Sequence, residues 1–253
     1  MTRFIRLSPH GAGQLEDWGP MPSDDLIAGK GQQFGHLWLD DPVCGLMVGV
    51  WSCSPMTGKM GPWSTNEMML LIEGNVAIDH ADGTSLDVSA GEAFFIPKGT
   101  VCSWRQAGNL KKFFVIHSDG SGLVAPDAAQ LKARKIDPSA PLSPTDGPDA
   151  ALLSGVAPTC QENTAFTDLT GQLTTGIWSA CSARRRHRMD QQAADKENLL
   201  QFHARFVVVR CCGAKQNGGR TSDRRTIMQG VIDFPQPLPL ASARCDLARR
   251  RSV

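Results

Sequence analysis

The chain lacks any apolar run of about 18 residues or more, the length a membrane-spanning helix needs, so no membrane partner is expected. The N-terminal MTRFIRLSPHGAGQ lacks the apolar core of a secretory leader, and a cytoplasmic protein is the expectation. The eight cysteines, at positions 44, 53, 102, 160, 181, 211, 212 and 245, contain no C-x-x-C pair, and no His-x3-His partner accompanies them. That removes the usual patterns of structural zinc and iron–sulfur sites and leaves reduced thiols as the default. Net charge is also nearly absent, at +1, but the total conceals two unlike parts. Residues 1–180 carry 11 Lys+Arg against 19 Asp+Glu, a balance of −8, whereas 181–253 carry 15 against 6, or +9.

What is present is β texture. A length of 253 residues allows one large or two modest domains. Residues 1–32 mix Gly, Pro and charge and read as an extended N-terminal arm with one short strand. From Gly35 onward, short β-rich runs bounded by Gly, Pro and Asp point to an all-β sandwich or barrel. MMLLIEGNVAID (68–79) reads as one strand ending at Asp82-Gly83, a dipeptide suited to a hairpin turn. EAFFIP (92–97), SWRQA and LKKFFVI (110–116) supply further strands. Residues 119–150 are rich in turn signals and read as a linker or strap, with one short helical piece, AAQLKARK. Residues 151–180 then begin to repeat the earlier pattern: Gly49-Val50-Trp51-Ser52 aligns with Gly176-Ile177-Trp178-Ser179 at an offset of 127, the mark of an internal duplication.

Two motifs in register give this pattern a name. Glu67 followed by six residues and Gly74 matches the second half of G-x5-H-x-H-x3-E-x6-G, and Gly91, Pro97 and Gly99 fall on G-x5-P-x-G-x2-H-x3-N. The chain therefore resembles the cupin superfamily of double-stranded β-helix (jelly-roll) barrels. More narrowly, GVWSCSP, IPKGT-x2-W and KKFFVI resemble the cupins grouped with (S)-ureidoglycine aminohydrolase and the ethanolamine-utilisation cupins. The resemblance implies a cupin barrel over 33–118 and a two-barrel chain whose second unit is only begun. It implies four metal ligands too, of which only Glu67 is kept. Gly61 and Trp63 stand at the two histidine positions of the first motif, Cys102 at the histidine of the second, and Gln106 at its terminal Asn.

Glu67 can be read as a ligand, as a general base in an apolar barrel mouth, or as a carboxylate satisfied by backbone or by Gln106. Cys102 can be read as a soft ligand or as a buried inert thiol, and no cationic residue adjoins it in sequence to activate it. Trp51, Trp63 and Trp104 are wall packing or a ligand-stacking cage. Lys98 and His80 sit at turns and read as solvated, and His36, His80 and His117 match no ligand spacing. No cofactor is expected, a divalent metal such as manganese being the alternative. Only Glu67 and Cys102 are candidates to hold it.

After Ala180 the repeat fails. Thirteen of the seventeen arginines lie there, and the counterparts of WSTNEMMLLIEG and GEAFFIPKG are missing. Three readings of 181–253 compete: a basic segment that contacts nucleic acid, a diverged helix within MDQQAADKENLLQFHARF, or a reading frame that slips soon after Trp178 and leaves a poorly ordered tail. The third is preferred, and nucleic acid is disfavoured because interleaved aromatics and a recognisable module are lacking. The functional expectation is a cupin that binds a small polar metabolite without metal, the alternative being a metal-dependent enzyme resembling (S)-ureidoglycine aminohydrolase. Whether it is an enzyme stays open. A homodimer is expected by resemblance alone.

Overall fold

The structure, a computed structural model, describes residues 7–118, 120, 130–147, 157–184 and 200–211. Those residues form strands, turns and short 3-10 turns, with no α-helix among them. Two sheets build a barrel. The larger has the order β1-β3-β4-β12-β7-β10-β13, and its strands are β1 (Glu16–Pro20), β3 (Gln32–Asp41), β4 (Leu46–Cys53), β7 (Asn66–Glu73), β10 (Ala93–Ile96), β12 (Leu110–His117) and β13 (Arg134–Lys135). The smaller has the order β2-β5-β11-β8-β9, from β2 (Leu26–Gly29), β5 (Met56–Gly58), β8 (Asn75–His80), β9 (Ser85–Ser89) and β11 (Val101–Gln106). The two-residue β6 (Gly61–Pro62) also pairs with β11.

Successive strand residues point to opposite faces, which explains why the central strands are apolar throughout. Met69, Leu71, Phe94, Ile96, Leu110 and Phe114 face the barrel interior with Trp51 and Trp104. Their neighbours Val48, Val50, Met68, Leu70, Phe95, Phe113 and Val115 form a second core on the other face of the larger sheet.

That second face is covered by a four-stranded sheet of order β14-β15-β16-β17, made of β14 (Ser143–Thr145), β15 (Thr159–Thr167), β16 (Leu173–Arg184) and β17 (Leu200–Cys211). Leu173 and Ile177 join the outer core, and Phe166 stacks on Phe95 with ring centroids 4.8 Å apart. The pairing registers repeat at the offset of 127. Glu16 opposite Gly35 becomes Ser143 opposite Glu162, and Gly35 opposite Trp51 becomes Glu162 opposite Trp178. Even the irregularity in the hairpin recurs, between Leu37 and Leu39 in β3 and between Thr164 and Phe166 in β15.

Several sequence expectations are corrected. The arm contributes two strands rather than one, because β1 extends the larger sheet and β2 the smaller. The run 68–79 is broken in two at Gly74, whose φ of +80° lets the chain leave one sheet for the other; an added Cβ would lie 2.4 Å from the Asn109 carbonyl oxygen. Within AAQLKARK the described residues 130–135 are not α-helical. Instead β13 adds to the edge of β10, and Ala133 and Ile136 are buried. Strand texture continues past Ala180: β16 runs to Arg184, and β17 pairs with it along its whole length from Leu173 to Arg184. Of the helical reading over 189–206, residues 200–206 lie in strand β17 instead, while 189–199 and the basic stretch 212–253 lie outside the described residues.

Candidate functional site

The interior of the barrel gathers an ion pair and three indoles. Glu67 starts the inward series of β7, and Lys112 occupies the inward series Leu110, Lys112, Phe114, Ile116 of β12. The Lys112 ammonium donates to Glu67 Oε1 at 2.8 Å and lies 3.1 Å from Met69 Sδ. Both charged side chains are sealed from solvent, at 8% and 6% exposure. The same ammonium sits 4.8 Å from the ring centroid of Trp51 and 4.6 Å from that of Trp104, within cation–π range of both.

The other polar atoms are also committed. Trp63 Nε1 donates to Glu67 Oε2 at 3.2 Å, so each carboxylate oxygen has a donor. Trp63 stacks on Trp104 at 6.3 Å, and Trp51 meets Trp104 edge-on at 6.0 Å. Trp104 Nε1 donates to Gln106 Oε1 at 2.7 Å, and the Gln106 amide donates to the carbonyls of Cys53, Ser54 and Gly108. Trp51 Nε1 donates to Gln33 Oε1 at 3.0 Å. Gln106 therefore positions Trp104 and is not the partner of Glu67. Cys102 is buried, and desolvation pushes its thiol up to about 11; burial does the same to Cys53, slightly offset by the Lys112 charge. Neither thiol is an activated nucleophile.

The structure thus brings together Trp51, Trp63, Glu67, Trp104 and Gln106, with Cys102 in the same apolar core. Sequence reasoning missed Lys112. Its signal was an ionisable residue within an otherwise apolar inward series on β12. The histidines correct one expectation: His80 is buried, because Nε2 accepts the Ala133 N–H at 3.0 Å where the strap crosses the barrel. Lys98 is half-buried rather than solvated, its backbone N–H held by Asn66 Oδ1. His36 pairs with Glu16 at 3.1 Å, and His117 lies buried 3.6 Å from Asp168 under the second sheet.

This barrel, with two antiparallel sheets and the Gly, Pro and Glu marks of both motifs, defines a cupin. Residues 46–114 match the sequence model of the EutQ-like cupin domain, so this part of the chain is a cupin domain. Among solved structures it is similar to a protein of unknown function of the DUF861 family from Pseudomonas syringae pv. tomato, at 19% identity over 72% of each chain with a TM-score of 0.53. It also overlaps the Clostridium difficile EutQ protein, at 23% identity over 38% of this chain and 76% of that one, with a TM-score of 0.31. Comparison with curated proteins gives no match.

The superfamily implies a metal, and the residues present do not fit one. Among the described residues, no three His, Cys, Asp or Glu side chains gather as a metal-binding group. The one retained ligand, Glu67, already holds a cation. A divalent ion about 4 Å from the ammonium would meet repulsion of roughly 8 kcal/mol at an effective dielectric of 20, twice the figure for two unit charges.

Proposed function

We propose that the barrel is a metal-independent binding module for a small polar metabolite, acting in the cytosol. The observation that carries this reading is the buried Lys112–Glu67 pair walled by Trp51, Trp63 and Trp104. Small-ligand sites are lined mainly by apolar and aromatic side chains, with a few placed polar groups that orient the ligand. A carboxylate or carbonyl oxygen of the ligand would share the ammonium with Glu67. The free thiols of Cys44, Cys53, Cys102 and Cys160 suit a reducing compartment. A metal-dependent hydrolase is the poorer reading because its donor set is missing.

The second sheet has its own role in this proposal. The shared register at an offset of 127 supports reading β14–β17 as part of a second cupin unit, with β17 taking beside β16 the place β12 takes beside β4. The fold likeness to the Pseudomonas protein spans 72% of the chain, more than the barrel alone. This partial unit covers the outer face of the larger sheet, so a homodimer would have to use another surface. Native mass spectrometry of the purified chain and tryptophan-fluorescence titration against small carboxylates and amides test the binding reading. A bound small molecule, or quenching lost in Trp104→Phe, is the expected result. Stoichiometric metal lost in Glu67→Gln would sink it.

A further inference from the structure

The ammonium of Lys112 is enclosed as a foreign cation would be. It has a carboxylate at 2.8 Å, a thioether sulfur at 3.1 Å and two indole rings within 4.8 Å, all in the barrel interior. Carboxylate plus aromatic faces is the chemistry by which proteins hold organic ammonium ions, because ring quadrupoles and a fixed anion replace lost hydration. Motif arithmetic places Glu67 as the one surviving metal ligand, and the structure gives that carboxylate to Lys112. The two observations meet on the same oxygen atoms.

We infer that this barrel contains an ammonium site that the protein fills with its own side chain, Lys112 serving as the resident cation where relatives of the fold hold a metal. The site has three functional parts: Glu67 neutralises, Trp51 and Trp104 enclose, and Trp63 holds the second carboxylate oxygen through its indole N–H. A neutral inward residue at 112 would leave Glu67 buried beside an empty aromatic cage. The class of ligand that fits the vacancy is a primary alkylammonium, not a divalent metal. Indole faces stabilise a monovalent, weakly hydrated cation but donate no lone pair to a metal ion. This inference stands on geometry alone and does not depend on the barrel binding a metabolite.

The test uses the full chain and its Lys112→Ala variant, with ethylammonium, propylammonium, manganese and zinc as separate probes. Thermal denaturation followed by tryptophan fluorescence should show the variant melting several degrees lower. Millimolar propylammonium should restore most of that loss in the variant and leave the wild type unchanged, and neither metal should do so. Adding Glu67→Gln to the variant should abolish the ammonium response. Wild-type protein that binds either metal through Glu67, or a variant rescued by metal rather than ammonium, overturns the inference. A variant that folds and ignores both probes overturns it as well. If Lys112→Ala does not fold, lysine-labelled wild-type protein gives an independent reading by NMR. The ε-methylene protons of one lysine should be shifted upfield by the two indole ring currents and lose that shift in Trp51→Leu; unshifted lysine resonances refute the enclosure.

Discussion

At the scale of single residues, the interior of this barrel shows how an ionic centre is kept in an apolar core. A buried ion pair is a poor source of net stability, because desolvating both ions offsets most of their attraction. Its asymmetry is the useful property: removing one partner strands the other. Lys112→Met should therefore destabilise the chain by about 3–5 kcal/mol, whereas Lys112→Met combined with Glu67→Leu should cost far less or even stabilise. Urea unfolding of the two single variants and the double variant measures this coupling directly. Equal, additive losses would contradict the pairing seen at 2.8 Å. Gln106 illustrates a quieter role, since its amide spans three carbonyls while its oxygen fixes Trp104, tying the end of β11 to the β4–β5 turn.

At the scale of elements, the turn between β15 and β16 is where the second sheet is fastened to the barrel. Asp168 lies almost fully buried beside His117 from the end of β12. Burial pushes the Asp168 carboxyl up, but His117, the Leu173 N–H and the Thr170 hydroxyl outweigh it and hold it below its ordinary value of 3.8. A carboxylate with a depressed folded-state value contributes stability above the unfolded value, and that contribution is lost as pH falls through the folded one. Asp168→Asn should therefore be less stable than wild type at neutral pH, by about 1–3 kcal/mol. The gap should narrow as pH drops below about 4, as wild-type Asp168 takes up its proton. Denaturant unfolding at neutral and acidic pH follows it, and a gap that does not depend on pH would assign the loss to packing alone.

At the scale of the whole molecule, the larger sheet is a wall shared by two cores. Its inner face closes the barrel, and its outer face is buried beneath β15 and β16. Among the residues meeting across that wall, Leu46 and Val50 of β4 stand 127 positions before Leu173 and Ile177 of β16, and all four lie in one cluster. Ile177→Asp should loosen this cover by about 3 kcal/mol, losing a buried aliphatic side chain and burying an unpaired charge. The uncovered apolar face should then drive self-association that rises with concentration. Sedimentation velocity of the variant against wild type checks this, and a variant that remains as dispersed as wild type would remove the cover from the second sheet's role.

Much of this was legible in one dimension, and the boundary between legible and hidden follows a physical rule. Turn glycines, the Asp-Gly hairpin, the Pro97-Lys98-Gly99 turn and inward-outward alternation are local constraints, so the sequence by itself determined the all-β barrel and the loss of the histidine ligands, whereas β1, β2 and β13, which lie outside 33–118, join its sheets only through tertiary pairing. The matching strand registers at offset 127 also follow local residues, since register in a hairpin is set by its own sequence. The partner of Glu67 does not, because Lys112 lies 45 positions away and meets it only when β12 pairs with β7. Burial of His80 depends on a strap 53 residues downstream. The tertiary structure alone decided that the one remaining ligand carboxylate faces an ammonium, because the neighbours of a charge inside a barrel are chosen by strand pairing rather than by chain order.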